Sequence, residues 1–146
     1  MADNIANTLS SNRAWADIVC YVEIPANDVQ ACKEFYAAIF PSWVFTASTL
    51  PLRQWNFTDP DGLFGAITQA QPGYWHELNA MISMAGEAMV ATISQCVESI
   101  DKVKLKVEEH GGEARSAKEL AADGYYYMLF KDPEGNRFYV YEKSGQ

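Results

Sequence analysis

The chain has 146 residues, of which 49% are hydrophobic and 21% charged, so it can bury the core of one globular domain. It carries 11 basic and 19 acidic residues, for a formal net charge of −8, and it has no run of basic residues. Because an acidic surface repels phosphate groups, neither nucleic acids nor anionic membranes are expected partners.

No segment approaches the ~20 consecutive apolar residues that a transmembrane helix needs. Residues 1–16 are predicted to form a polar N-terminal tail, and Met1–Arg13 has no apolar region of the kind found in secretory signals. The three cysteines are widely spaced, which indicates neither a disulfide framework nor a zinc site. We therefore expect a cytoplasmic protein.

The first unit, residues 17–70, is predicted to contain one strand, one helix and three further strands. The strand Tyr21–Pro25 alternates between two faces, and Asn27 is expected to cap the helix with Gln30 as its capping-box partner. Apolar residues at helical spacing continue to Phe40, and Pro41 ends the helix. The three later strands are expected at Trp43–Thr46, Leu52–Phe57 and Leu63–Gln69.

Residues 71–87 are predicted to be a linker, and a second unit, residues 88–142, repeats the same order of elements. Its first strand is expected at Met89–Val97, and its helix buries Ile100, Val103 and Val107. The later strands are expected at Glu113–Ser116, Tyr125–Lys131 and Arg137–Glu142.

A repeated turn motif supports this division into two units. Asp59-Pro60-Asp61-Gly62 recurs as Asp132-Pro133-Glu134-Gly135, at an offset of half the length of the chain. The first strand and helix of the first unit recur in the second unit at nearly the same offset. Two matches at nearly equal offsets indicate a duplicated βαβββ unit.

In this order and spacing the chain resembles the vicinal oxygen chelate superfamily, which includes glyoxalases, bleomycin-resistance proteins and extradiol dioxygenases. The stretch VEIPANDVQACKEFYAAIF resembles the opening of the glyoxalase-like branch, and KDPEGNRFYVYE resembles its closing strand. The resemblance covers Asp17–Glu142. It implies an α+β fold in which two βαβββ units pack as curved sheets around a half-open barrel pocket, and it implies a homodimer.

The resemblance also assigns four metal-ligand positions, one on the first and one on the last strand of each unit. In this sequence they are Tyr21, Ala66, Thr92 and Tyr139. None is His, Asp or Glu, whereas a hard or borderline divalent ion needs imidazole or carboxylate ligands. We therefore expect no metal and no other cofactor.

Strand alternation predicts which side chains share a face with these four positions. They are rich in aromatic rings and hydroxyls, so they suit a flat or ring-containing ligand. One tyrosine of the run at residues 125–127 is added to this set, as are two linker residues that could close over the pocket. The residues assigned to substrate binding are Phe64, Ala66, Thr68, Trp75, His76, Thr92, Ser94, Tyr126, Arg137 and Tyr141.

Glu23 is the carboxylate predicted on this face, and it is the candidate general acid or base. Tyr21 and Tyr139 are candidates for polarising a substrate oxygen. The alternative interpretation of Glu23 is a structural ion pair with a base such as Arg137. For the tyrosines the alternative is a packed aromatic pair.

Three functions agree with these residues, and all three take a small molecule as the partner. The favoured one is a metal-independent isomerase, cyclase or lyase that acts on an aromatic or polyketide-like molecule. The second is non-catalytic sequestration of such a molecule, as in bleomycin-resistance proteins. The third is a lyase or dioxygenase that holds a divalent metal through displaced ligands such as Glu23, His76 and Glu142.

Overall fold

The computed structural model describes residues 17, 19–51, 53–70 and 92–144. The chain divides into two compact units, residues 1–70 and 71–146. The predicted tail and linker lie outside the described residues, and so do Trp75 and His76. Within the described ranges, no helix is both long enough and apolar enough to cross a bilayer.

The first unit is a four-stranded sheet with one helix. The sheet has the order β1-β4-β3-β2, in which β1 and β4 are parallel and the other pairs are antiparallel. This is the βαβββ order that the sequence predicts. The elements are β1 (Tyr21–Ala26), α1 (Val29–Ile39), β2 (Val44–Ala47), β3 (Arg53–Thr58) and β4 (Phe64–Gln69).

The second unit has the same topology, with the sheet order β5-β9-β8-β6 and a parallel pair between β5 and β9. The topological match confirms the fold class: the described chain is α+β, with two sheets and two helices. The elements are β5 (Ile93–Cys96), α2 (Ile100–Glu109), β6 (Glu113–Ala114), β7 (Glu119–Leu120), β8 (Tyr125–Lys131) and β9 (Arg137–Lys143).

The strand predicted at Glu113–Ser116 is instead two short strands on one edge of β8. β6 pairs with the C-terminal end of β8, and β7 pairs with its N-terminal part. Between them, the backbone amide of Leu129 donates to the side-chain hydroxyl of Ser116 at 2.9 Å. The side chain takes the place of a backbone acceptor, so the ladder is interrupted there.

The cap of α1 differs from the expectation by one residue. β1 continues through Ala26, and Asp28 rather than Asn27 caps the helix, since its carboxylate accepts the backbone amide of Ala31 at 2.9 Å. Gln30 donates instead to Glu34 and accepts from the indole nitrogen of Trp55. The helix begins at Val29, so Ala31 is its third residue. A capping side chain bonds to the amide of that residue, and Asp28 is placed to do so.

Each helix buries its apolar stripe, as the 3.6-residue period predicts. On α1 the buried residues include Cys32, Phe35 and Ile39, and on α2 they are Ile100, Val103 and Val107. Each helix packs its stripe on one face of its sheet, so the other face of that sheet lies outside the helix–sheet core. We call it the helix-opposite face, and it carries the candidate site residues.

Candidate functional site

Contacts with α1 decide which face of the first sheet is helix-opposite. Trp55 donates to Gln30 of α1 at 3.2 Å, and it pairs across the sheet with Ile67, which is fully buried. Successive residues of a strand point to opposite faces. Ala66 and its strand partner Glu23 therefore lie on the helix-opposite face.

The register between the first and last strands agrees with the repeat found in the sequence. Glu23 pairs with Ala66 in the first unit, and Ser94 pairs with Tyr139 in the second. These pairs reproduce the two nearly equal offsets that the sequence shows. Tyr21 and Thr92 precede the paired residues by two positions, so the four positions that the resemblance assigns to metal ligands correspond between the units.

The helix-opposite face of the first unit carries aromatic and hydroxyl side chains and a carboxylate. The rings of Tyr21 and Phe64 lie 5.6 Å apart, Ala66 is fully buried, and Glu23 is exposed. The hydroxyl oxygen of Thr68 is buried and has no hydrogen-bond partner among the described residues. The predicted first-unit residues thus share one sheet face.

β3 adds two polar residues that the sequence interpretation missed. Asn56 pairs with Ala66, and Thr58 pairs with Phe64, so both lie on the same face as Glu23. The register of β3 shifts between Arg53 and Trp55. From Asn56 onward, the alternation of side chains along β3 assigns Asn56 and Thr58 to this face correctly. An alternation that starts before the register shift assigns them to the wrong face.

In the second unit, the pairing of β8 with β9 places Tyr127 and Leu129 beside Tyr141 and Tyr139. Phe138 and Val140, the alternate residues of β9, are buried in the core with α2. Arg137, Tyr139 and Tyr141 therefore lie on the helix-opposite face, as predicted. Ser94 joins them through its pairing with Tyr139.

Tyr126 lies on the other face of β8. It pairs with Glu142, whose carboxylate accepts the backbone amide of Ile100 at the start of α2. The ammonium group of Lys118 lies 4.9 Å from the Tyr126 ring centroid. The tyrosine of the run that shares a face with Tyr139 is thus Tyr127, because the strand register and not the sequence run decides the face.

Tyr127, Tyr139 and Tyr141 form a cluster that we call the tyrosine triad. Their ring centroids are separated by 6.0 Å, 6.2 Å and 6.5 Å. The hydroxyl of Tyr127 donates to the carboxylate of Glu119 at 2.6 Å, and this hydrogen bond, with the negative charge of Glu119, raises the pKa of Tyr127 above its ordinary value of 10.0. The phenol of Tyr127 therefore keeps its proton throughout the neutral pH range.

The four assigned metal-ligand positions do not fit a divalent ion. They offer two phenols, one aliphatic hydroxyl and one methyl group, where such an ion needs imidazole or carboxylate ligands. Within the described ranges, no three His, Cys, Asp or Glu side chains lie close enough together to hold an ion. Glu142, a proposed displaced ligand, accepts instead from Ile100 and from Lys118, at 2.6 Å and 3.3 Å.

No family model and no curated protein matches the chain by sequence. Solved structures do match. A hypothetical protein from S. aureus is 16% identical with a TM-score of 0.62, over 88% of this chain and 99% of the other. A glyoxalase/bleomycin resistance protein/dioxygenase family enzyme from Burkholderia phytofirmans PsJN is 19% identical with a TM-score of 0.60, over 85% and 97%.

A mutant of the fosfomycin resistance protein FosX from Listeria monocytogenes, solved with Mn(II) and 1S,2S-dihydroxypropylphosphonic acid, is 13% identical with a TM-score of 0.63, over 90% of this chain and 93% of that protein. At such identities the likeness concerns the fold alone. The duplicated βαβββ topology and these structural neighbours show that the chain has the fold of the vicinal oxygen chelate superfamily.

Proposed function

We propose that the protein binds a small, ring-containing organic molecule, and that the helix-opposite face of each sheet, taken by itself, is a candidate surface for it. The observation that carries this proposal is the composition of those faces, which combine aromatic rings, hydroxyls and a carboxylate. Aromatic walls with a few polar groups are typical of sites that orient small organic ligands. The positions that the resemblance assigns to metal ligands hold Tyr21, Ala66, Thr92 and Tyr139, whose chemistry does not suit a divalent ion, so we propose binding without a metal.

We further propose that Glu23 transfers a proton in a metal-independent isomerisation, cyclisation or elimination. Glu23 is exposed to solvent, and its strand partner on the helix-opposite face is the small residue Ala66. Tyr21 lies two residues before Glu23 on the same face of β1. The phenol of Tyr21 would donate a hydrogen bond to a substrate oxygen as Glu23 takes a proton from the adjacent carbon.

Proton abstraction beside a carbonyl is common to these reactions, so the test measures that step alone. The probe is α-tetralone, a bicyclic aryl ketone, in D₂O containing EDTA, and NMR follows the replacement of its C2 protons by deuterium. We expect the wild-type protein to accelerate this exchange. Glu23→Gln should abolish the acceleration and leave the Kd for α-tetralone unchanged, since the amide keeps the shape and loses the base.

Glu109→Gln is the matched control, because Glu109 is an exposed carboxylate on α2. It should keep both exchange and binding. Exchange by Glu23→Gln at the wild-type rate would overturn the catalytic role of Glu23.

Sequestration without reaction is the second candidate, and the tyrosine triad favours it. Tyr127, Tyr139 and Tyr141 offer aromatic contact area, and the carboxylate beside them, Glu119, is hydrogen-bonded to Tyr127. Such a surface can hold a ring by stacking without moving a proton. Tight binding of α-tetralone with no accelerated exchange would select this function. The homodimer and the cytoplasmic location expected from the sequence stay predictions.

A further inference from the structure

The tyrosine triad is an electron-rich surface. The face of an aromatic ring carries the negative part of its quadrupole, so three neighbouring tyrosines present negative potential to anything stacked on them. The hydrogen bond from Tyr127 to the Glu119 carboxylate shifts further electron density into the Tyr127 ring, since a phenol that donates to an anion gains phenolate character. Rings that are themselves poor in electrons stack best on such a surface.

The triad also offers hydrogen-bond donors. Among the described residues, none hydrogen-bonds to the hydroxyl of Tyr139 or of Tyr141, and both residues are partly exposed. A phenol can donate its proton to a carbonyl oxygen, and a donor to which no described residue is bonded can serve a ligand. Tyr127 differs, because its proton is held by Glu119.

Cationic side chains flank the triad along the sheet. By register, Arg137 and Lys131 pair at one end of the ladder, and Lys143 pairs with Tyr125 at the other, all on the helix-opposite face. By the same register Glu113, which pairs with Lys131, and Glu119, which pairs with Tyr127, also lie on this face, so basic and acidic side chains share it. The basic side chains at the ends of the ladder favour ligand oxygen atoms that carry partial negative charge.

We propose that the tyrosine triad binds a planar, electron-poor ring system that carries carbonyl oxygens, such as a quinone or an aryl dione. The rings supply the stacking surface, the hydroxyls of Tyr139 and Tyr141 donate to the carbonyl oxygens, and Glu119 enriches the ring of Tyr127. This inference rests on the proposed function, since it names the class of molecule that the helix-opposite face would take.

The test compares three probes of similar size by isothermal titration calorimetry. The first is 2,3-dimethyl-1,4-naphthoquinone, in which methyl groups block addition of thiols. The second is 1,4-dimethoxy-2,3-dimethylnaphthalene, which has the same shape with an electron-rich ring and no carbonyl. The third is N-methylquinolinium, a planar cation. We expect the quinone to bind at least about tenfold more tightly than either comparator.

Variants then assign the effect to residues. The double variant Tyr139→Phe/Tyr141→Phe keeps the rings and removes both donors, so it should weaken quinone binding about five- to tenfold and leave the dimethoxy compound unchanged. Glu119→Gln should weaken the quinone about two- to threefold, because a neutral partner enriches the Tyr127 ring less. The control is Glu109→Gln, since Glu109 is an exposed carboxylate on α2. It should bind all three probes as wild type does.

Equal or tighter binding of the dimethoxy compound or of N-methylquinolinium would overturn the proposed ligand class. An unchanged quinone affinity in Tyr139→Phe/Tyr141→Phe would also overturn it, provided that the near-ultraviolet circular dichroism of the variant matches the wild type and so shows the same fold. If the quinone binds as expected but the wild-type protein does not accelerate deuterium exchange at C2 of α-tetralone, the ligand class stands and the acid–base function fails. If α-tetralone is exchanged and the quinone does not bind, the reverse holds.

Discussion

Asp59 and Asp132 make the same pair of hydrogen bonds at equivalent turns of the two units. In each, the carboxylate Oδ1 accepts the backbone amides of the residues two and four positions later, at 2.8–2.9 Å. Gly62 and Gly135 follow in the left-handed region, with φ of 88° and 91°. The repeated sequence motif is thus a repeated turn, because an Asp at its start and a glycine three residues on satisfy the same backbone geometry.

The two turns are not equally dependent on their aspartates. Asp132 is 3% exposed and also accepts a hydrogen bond from the side-chain amide of Asn136 at 2.8 Å. The equivalent residue of the first unit is Leu63, whose side chain has no donor. We expect Asp132→Ala to lower the free energy of unfolding by about 2–3 kcal/mol and Asp59→Ala by about 1–2 kcal/mol. Urea unfolding of both variants measures the difference, and a larger loss in Asp59→Ala would contradict this interpretation.

Gly65 is required because Phe57 occupies the space of its side chain. A Cβ at residue 65 would collide with the ring of Phe57, which is 1% exposed and stacks on Trp43 with a centroid distance of 4.4 Å. Because the ring is buried and stacked, relieving the collision would disturb the core, so Gly65→Ala should destabilise the protein by about 1–3 kcal/mol. Thermal unfolding measures this loss.

Phe57→Leu provides the control for that prediction. It opens space beside residue 65, so the double variant Gly65→Ala/Phe57→Leu should be more stable than the sum of the two single losses predicts. Additive losses would show that the collision with Phe57 is not the cause.

Glu142 ties the last strand to the start of α2. Its carboxylate accepts from the Ile100 amide at 2.6 Å and from Lys118 at 3.3 Å, and Lys118 also contacts Asp101 at 3.4 Å. Desolvation alone would lower the pKa of Lys118, but the hydrogen bonds and charges of Glu142 and Asp101 outweigh it, so the pKa is raised. Lys118 stays protonated at neutral pH and the pair is intact there.

Because a negative charge at a helix N-terminus is favourable, Glu142→Gln should destabilise the protein by about 1–2 kcal/mol at neutral pH. Glu109→Gln, on the exposed face near the other end of α2, should change stability by less than about 0.5 kcal/mol. Chemical denaturation compares the two. Equal effects would mean that the contact with Ile100 contributes nothing beyond a surface charge.

The Tyr127–Glu119 hydrogen bond should stabilise the protein below about pH 10 and lose its effect above it. The pKa of Tyr127 is raised in the folded chain, so the folded state favours the protonated phenol; the contribution is complete below the unfolded pKa and disappears as pH rises through the folded pKa. Glu119→Gln should bring the pKa of Tyr127 back toward 10.0. Tyrosinate absorbance, with Tyr127→Phe to assign the signal, measures the shift, and a titration unchanged by Glu119→Gln would contradict it.

The donor chemistry of Tyr21, Ala66, Thr92 and Tyr139 predicts weak binding of divalent ions. Elemental mass spectrometry of protein purified without chelator should find well below one equivalent of metal per chain, and EDTA should leave the α-tetralone exchange unchanged. One tightly bound divalent ion per chain, lost together with activity on chelation, would mean that other residues act as ligands.

Much of the fold could be predicted because its signals are local. The strand at Tyr125–Lys131 has the predicted limits, and the buried stripes of both helices are the ones that the 3.6-residue period indicates. The predicted position of the α1 cap was wrong by one residue, because Asn27 and Asp28 both have side chains that can cap a helix. The interruption between β6 and β7 depends on a contact between Ser116 and Leu129, which are distant in sequence.

The sequence by itself determined the duplicated order of elements, the repeated aspartate turns and the lack of metal-type donors at the four assigned positions. Periodicity, turn chemistry and residue type are properties of short segments, so they can be read without tertiary contacts. Only the tertiary structure decided that Tyr127 rather than Tyr126 joins Tyr139 and Tyr141, and that Glu119 holds its hydroxyl. A side chain's face depends on the register between strands, which hydrogen bonds to distant residues fix and which a shift of one residue reverses.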